Sequence, residues 1–148
     1  TCPSNKIQNY LNKISGPLLD RIDIHMEIVP VPFDDLSNKP IGESSSTIRE
    51  RVIKARKIQE DRYKNEESIY CNAQMNTRLL RKYAVLNNES KSLIQNAMKR
   101  LNLSARAYDR ILKLARTIAD LDNSENIEIH HISEAITYRN LDREGWAG

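Results

Sequence analysis

Leu103 to Asp122 reads LSARAYDRILKLARTIADLD, and its periodicity decides what kind of fold the chain can adopt. At ~100° of turn per residue, Tyr108, Ile111, Leu112, Ala115, Ile118 and Ala119 fall on one face of a helix. That stripe is wide enough to build a core. Arg106, Arg110, Lys113 and Thr117 stack on the opposite face. Ser104 suits the N-cap position, because its hydroxyl can accept a bond from an unpaired N–H of the first turn. The cationic face has two readings, a solvated surface or a mount for a guanidinium aimed at phosphate oxygens. Arg106 is best placed for the second, since the tight Leu101-Asn102-Leu103 connection fixes the first turn at the rim of a bundle.

Similar patterns continue on both sides. Leu79, Leu80, Tyr83 and Ala84 mark one helix, and Leu93, Ile94, Ala97, Met98 and Leu101 a second. After Asp122-Asn123-Ser124, Ile127 and Ile129 lead into a last helix bearing Ile132, Ala135, Ile136 and Tyr138. Short loops favour antiparallel neighbours, so residues 76 to 140 are expected to form a compact helical bundle, with Leu141 to Gly148 as a fraying tail. Upstream, Thr47 and Glu50 have the spacing of a capping box. The helix they would open runs to about Lys64, with Ile48, Val52, Ala55, Gln59 and Tyr63 as a narrow stripe. Its other faces carry Arg49, Arg51, Lys54, Arg56, Lys57, Arg62 and Lys64 against Glu50, Glu60 and Asp61, which suits either a solvated helix or a surface for phosphate or a partner.

The first third differs in character. Ile7, Tyr10, Leu11 and Ile14 have the spacing of a short helix within residues 1 to 14, which Gly16-Pro17 would end. Ile22, Ile24, Met26 and Ile28 then alternate with Asp23, His25 and Glu27, the period of a half-buried strand. A strand cannot satisfy its own hydrogen bonds, and no second one is evident. The expectation is a chain that forms the C-terminal part of something larger, or a strand that pairs with another copy. Residues 29 to 46, rich in Pro, Asp, Asn, Gly and Ser, read as a surface linker.

Composition narrows the class. A chain of 148 residues, 39% hydrophobic and 29% charged with four glycines, can bury one core and reads as soluble and helical. The net charge of +3 permits an anionic partner without requiring one. No apolar run approaches ~20 residues and no signal-peptide pattern opens the chain, so a cytoplasmic location and no membrane partner are expected. Cys2 and Cys71 belong to no ligand-spaced pair and are expected to be reduced thiols. His130 and His131 are adjacent, so in a helix they point ~100° apart, unlike an i, i+4 metal pair; no metal site is expected.

Five segments, ISGPLLDRIDIHMEIVPV, SSSTIRERVIKARKIQEDRY, CNAQM, LSARAYDRILKLARTIADL and HISEAITYRNLDR, together resemble the C-terminal part of the magnesium-chelatase-like ATPases of the ComM (YifB) type, a branch of the AAA+ superfamily. The resemblance covers essentially the whole chain in one order. It implies a mainly α fold, a helical AAA+ lid preceded by a long helix and by one β-strand of the upstream ATPase core. The implied boundaries are 1–30 for the end of the core, 31–46 for the linker, 47–65 for the long basic helix and 66–148 for the lid. Arg21 in LLDRID resembles the arginine finger acting on a neighbouring subunit, and Arg106 in LSAR resembles the sensor-2 arginine, with Arg110 as a weaker nucleotide contact. By resemblance the parent uses ATP and Mg2+, assembles as a homo-oligomeric ring, expected to be a hexamer, on its own upstream core, and acts in DNA processing and recombination, which adds DNA to the expected partners.

The physics is compatible. Hydrolysis of a nucleoside triphosphate spreads charge over the γ-phosphoryl oxygens, where a positioned arginine stabilises it. An ion pair of Arg21 with Asp20 or Asp23, merely pinning the turn, is the competing account of that residue. The sequence departs from a complete ATPase in having no GxxxxGK[ST] loop and no apolar strand ending in an acidic pair. These residues are therefore expected to bind no cofactor and hydrolyse no ATP by themselves. Relatives carry a cysteine cluster of which Cys2 resembles the last member. Two other classes compete: a helix-turn-helix DNA-binding module, in which residues 104 to 121 present Arg106 and Arg110 to a groove, and a structural protein-interaction domain.

Overall fold

The computed structural model describes residues 15–26, 28, 30, 31 and 42–139, with positions 3, 5, 6, 9 and 13. The helix expected within residues 1–14, Cys2, most of the linker and the tail after Arg139 lie outside the described residues, apart from those isolated positions. Among the described residues there are six α-helices, one 3-10 turn and no strand. They are α1 (Gly16–Leu19), α2 (Ser45–Tyr63), the 3-10 turn (Asn72–Gln74), α3 (Thr77–Tyr83), α4 (Asn88–Arg100), α5 (Ala105–Leu121) and α6 (Ile129–Thr137). The fold is mainly helical, as the periodicity predicts.

Local chemistry sets where the helices start. The side chains of Ser44, Asn76, Asn87 and Ser104 accept from the backbone N–H of Thr47, Leu79, Ser90 and Ala107 at 3.2, 3.0, 2.8 and 3.1 Å. Each bond satisfies a donor that the helix itself leaves unpaired. The start of α2 corrects the sequence reading: Ser44, not Thr47, is the N-cap. Thr47 gives its N–H to Ser44 Oγ and bonds the same hydroxyl through its own Oγ1 at 2.8 Å, so the helix begins three residues earlier. Left-handed backbone at Asn102 (φ 48°) and Asn123 (φ 55°) ends α4 and α5. Asparagine tolerates that conformation better than most residues, and it turns the chain sharply back.

The core forms around α5, whose buried side includes Ile111, Leu112, Ala115, Ile118 and Ala119. Leu79 and Leu80 of α3, Ile94 of α4, and Ile132 and Ala135 of α6 close over it. Burial of each leucine or isoleucine side chain contributes ~1.5–3 kcal/mol, and of each alanine methyl less. Outside this core the expected strand segment forms no strand among the described residues; its His25 N–H bonds Tyr138 O at 2.7 Å instead. Ile22, Ile24, Met26 and Ile28 are all substantially exposed, which leaves their alternation without a neighbouring sheet to face. The stripe of α2 is also only half realised, since Ala55, Gln59 and Tyr63 are buried whereas Ile48 and Val52 are exposed. No described helix is long and apolar enough to cross a membrane.

Tyr63 ends that stripe and gives the bundle a pH dependence. Its ring meets Tyr83 edge-on at 5.7 Å, and its hydroxyl donates to Asn72 Oδ1 at 2.7 Å. Burial pushes the phenol up to about 12, against the pull of the Arg62 cation. An unfolded chain ionises tyrosine near pH ~10. Below that pH the phenol is neutral in both states and its contribution is complete. Between pH ~10 and ~12 only the unfolded chain loses the proton, so stability falls by on the order of 2–3 kcal/mol across that window. Urea melts at about pH 9 and about pH 11.5 should show the fall, and Tyr63→Phe should remove that share of it. An identical decline in Tyr63→Phe would assign the loss to other groups.

Candidate functional site

Arg21 lies just past α1 in a turn closed by its own N–H to Leu18 O at 2.9 Å and by Ile22 N–H to Leu19 O at 3.0 Å. Its side chain is exposed and, among the described residues, makes no hydrogen bond or ion pair. The aspartates expected to compete for it are engaged elsewhere: Asp23 accepts from Arg110, and Asp20 lies 4.0 Å from Arg139. Arg106, in the first turn of α5, is likewise exposed and without such a partner among the described residues. Its mount is firm, because the Ser104 cap fixes the first turn and Leu103 N–H closes the preceding loop on Met98 O at 3.0 Å.

Arg110 behaves differently. Its pairing with Asp23 spends its charge inside the chain and ties the Arg21 segment to α5, one helical turn from Arg106. The remainder of that face is also covered. Lys113 Nζ donates to Ala73 O at 2.9 Å, and Thr117 Oγ1 accepts from Asn72 Nδ2 at 3.1 Å. The 3-10 turn therefore covers the Lys113–Thr117 half of that face and leaves its Arg106 end exposed.

Beneath it is a buried ionic network absent from the sequence reading. The Asp120 carboxylate accepts from Arg62 Nη1 at 2.7 Å and Nη2 at 2.5 Å, from Asn72 Nδ2 at 2.7 Å and from Arg116 Nε at 3.1 Å. Arg116 also donates to the carbonyls of Glu125 at 2.7 Å and Ser124 at 2.6 Å. Burial alone would pull both guanidinium pKa values down. For Arg62 the two bonds and the charge of Asp120 outweigh burial and the shift is upward. For Arg116, deeper and beside the Arg62 cation, burial wins and the shift is downward. The network locks α2, the 3-10 turn and α5 together. A cleft of about 460 Å³ lies alongside, lined by residues that include Arg62, Lys82, Tyr83 and Arg116. Its two arginines are already committed to protein oxygens, and none of Arg21, Arg106 and Arg110 lines it.

His130 and His131 both reach Asp122 Oδ2, at 3.5 and 3.2 Å, although their positions on α6 differ by ~100°. Bonds from His131 and then His130 hold the Asp122 carboxyl below the usual carboxylate range. The three side chains are close enough to share an ion, but the donor set fits one poorly. His131 Nδ1 accepts the Glu128 backbone N–H at 2.9 Å, so in a neutral ring the proton sits on Nε2, the atom facing Asp122. Binding a metal there would require giving up the cap of α6. Cys71 is a free thiol, and Cys2 lies outside the described residues.

Two family models match the chain, that of magnesium chelatase, subunit ChlI C-terminal, over residues 42–139, and that of magnesium chelatase, subunit ChlI, over residues 1–36. The chain belongs to the magnesium chelatase ChlI C-terminal family. Within it, the chain is 39% identical over 144 residues to the uncharacterized protein YifB of Escherichia coli and 38% over 143 residues to YifB of Salmonella typhimurium. It is 40% identical over 139 residues to the competence protein ComM of Haemophilus influenzae. These alignments cover 93–96% of the chain but only 26–27% of each relative, so this ChlI-type chain spans about a quarter of the length of the curated relatives it matches. The family boundary at residue 42 falls just before the α2 cap.

Proposed function

We propose that this chain is the lid and C-terminal region of a ring-forming magnesium-chelatase-like AAA+ ATPase, and that Arg21 and Arg106 act on the γ-phosphate of ATP. The observation that carries this reading is a contrast among arginines. Of the three arginines that the resemblance singles out, Arg110 is spent on Asp23, whereas Arg21 and Arg106 stand exposed on firm mounts without a partner among the described residues, a state they share with Arg49, Arg56, Arg81 and Arg100. A guanidinium held but unspent is what a developing phosphoryl charge requires. Arg21 is the finger reaching a neighbouring subunit's nucleotide, and Arg106 is the sensor-2 arginine through which the lid responds to ATP. ATP, Mg2+ and the ring all belong to the complete protein under this reading. DNA processing is the proposed context, supported by the exposed basic residues of α2 and by the name of the Haemophilus influenzae relative.

The test for the lid arginine uses the full-length protein. Arg106→Ala should remove the change in hydrogen exchange that ATP produces at the start of α5 and should slow hydrolysis by ~10² or more, the scale for one lost transition-state donor. Arg106→Lys should not restore either fully, because the planar two-point contact is gone. An Arg106→Ala protein whose lid responds to ATP as the parent's does would end the sensor-2 assignment.

A further inference from the structure

Arg139 is fully buried, at the end of the last described helix, and 117 residues separate it from the carbonyl it grips. Its Nη1 donates to Ile22 O, and its Nη2 approaches Leu19 O at 3.5 Å. These carbonyls flank Arg21, two residues before it and one after. His25 adds one more tie to the same helix end and one within the segment. Its backbone N–H donates to Tyr138 O at 2.7 Å, and its Nε2 lies 3.3 Å from Leu19 O. The base of the grip is itself fixed, since Arg139 N–H donates to Ile136 O at 3.0 Å. The backbone around Arg21 is thus pinned on both sides while its side chain points free.

We propose that Arg139 is a positioning residue for Arg21: the end of the lid grips the turn that bears the finger and sets where its guanidinium stands. This rests on the finger reading of Arg21. Burying a guanidinium is expensive, a cost that the Asp20 carboxylate, 4.0 Å from Nη2, offsets in part. What arginine supplies is a rigid planar fork that can address two carbonyls at once, where a lysine ammonium addresses them as a point. From the other side the Asp23–Arg110 pair ties the same segment to α5, close to Arg106. The Arg21 turn is therefore tethered to both the α5 and the α6 side of the lid, and a lid displacement that begins at Arg106 is passed to Arg21. The nucleotide state met by Arg106 would in this way set the position of the finger on the same chain.

The experiment compares Arg139→Lys and Arg139→Gln with Arg21→Ala, and with Arg21→Ala/Arg139→Lys, in the full-length protein. Hydrogen exchange over residues 18–26, ATP affinity and turnover are measured for each. Arg139→Lys should speed exchange at 18–26 by ~10-fold with α5 unchanged, and lower kcat by ~10-fold or more with ATP affinity within about twofold, as misplacing a catalytic group does. In the Arg21→Ala background the same change should cost less than about twofold, because the two residues act as one unit. Unaltered exchange and turnover in Arg139→Lys would overturn the proposal, and so would an equal kcat loss with and without Arg21. Arg139→Gln should repeat the pattern more strongly; if it does not fold, Arg139→Lys decides. If both variants lose the protection of α5, Arg139 serves the fold as a whole and the proposal falls. Parental turnover in Arg21→Ala would remove the finger reading and the coupling with it, an outcome distinct from an intact finger that ignores Arg139.

Discussion

Arg21→Ala in the full-length protein is expected to bind ATP as the parent does and to hydrolyse it ~10³-fold more slowly or worse, the scale of a lost arginine finger. The expectation of unchanged binding follows from the proposed geometry: Arg21 belongs to one subunit and the nucleotide it serves to the next. Binding energy is then supplied by the neighbour's own phosphate cradle, whereas the finger meets charge that develops only in the transition state. Mixing Arg21→Ala subunits with subunits lacking the phosphate-loop lysine should restore part of the activity, since one type of interface would still join an intact site to an intact finger. Arg21→Lys should not rescue fully. A protein that assembles normally and keeps the parental rate without Arg21 would refute the assignment, and the contrast among arginines would then need another cause.

The second large effect concerns stability. Asp120→Ala in the 148-residue chain should cost ~3–5 kcal/mol, because removing one partner of a buried ionic group strands the other charges. Arg62 and Arg116 would face each other with side chains 12% and 3% exposed and no carboxylate between them, and the Asn72 amide would lose an acceptor. Against the ~5–15 kcal/mol that typically holds a domain together, this is a large share. Asp120→Asn separates charge from shape. It keeps the volume but turns an amide NH2 toward guanidinium donors, so a loss of ~2 kcal/mol or more should remain. Urea unfolding gives both numbers from shifts in midpoint at constant slope. A loss below ~1 kcal/mol for Asp120→Ala would mean that water already shares the network.

Helices were legible because their signals are local. The stripe of α5, its Ser104 cap and the order of the bundle helices all follow from residues within a few positions of each other. The start of α2 was misjudged because Ser44, Ser45, Ser46 and Thr47 are all competent caps, and only the folded backbone selects among them. The ionic network and the Arg139 grip were not legible, since Arg62 is 58 residues from Asp120 and Arg139 is 117 from Ile22. One signal existed. Arg116 lies ~80° around α5 from Tyr108, just past the Leu112 edge of the apolar stripe, and Asp120 follows one turn later at ~120°, towards the cationic face. Charges at such a border, four residues apart, are candidates for burial as a pair. That Arg106 faces away from the core follows from its place on the helix, but the unpartnered state of Arg21 was not readable from sequence, because it depends on the fold engaging Asp20 and Asp23 elsewhere.

The one-sided burial of α2 has a mechanical consequence. Its 19 residues span ~28 Å, yet its buried side chains are Ala55, Gln59 and Tyr63, all in the second half. Among the described residues the first ten positions stand clear of the bundle, so the helix is a cantilever rooted at the Arg62–Asp120 pair. A tilt of ~10° at that root would carry the far tip by roughly 4.5 Å, given ~1.5 Å of rise per residue. The stiffness of the buried root thus governs how much of a small rotation in the lid arrives at Ser44 as a displacement.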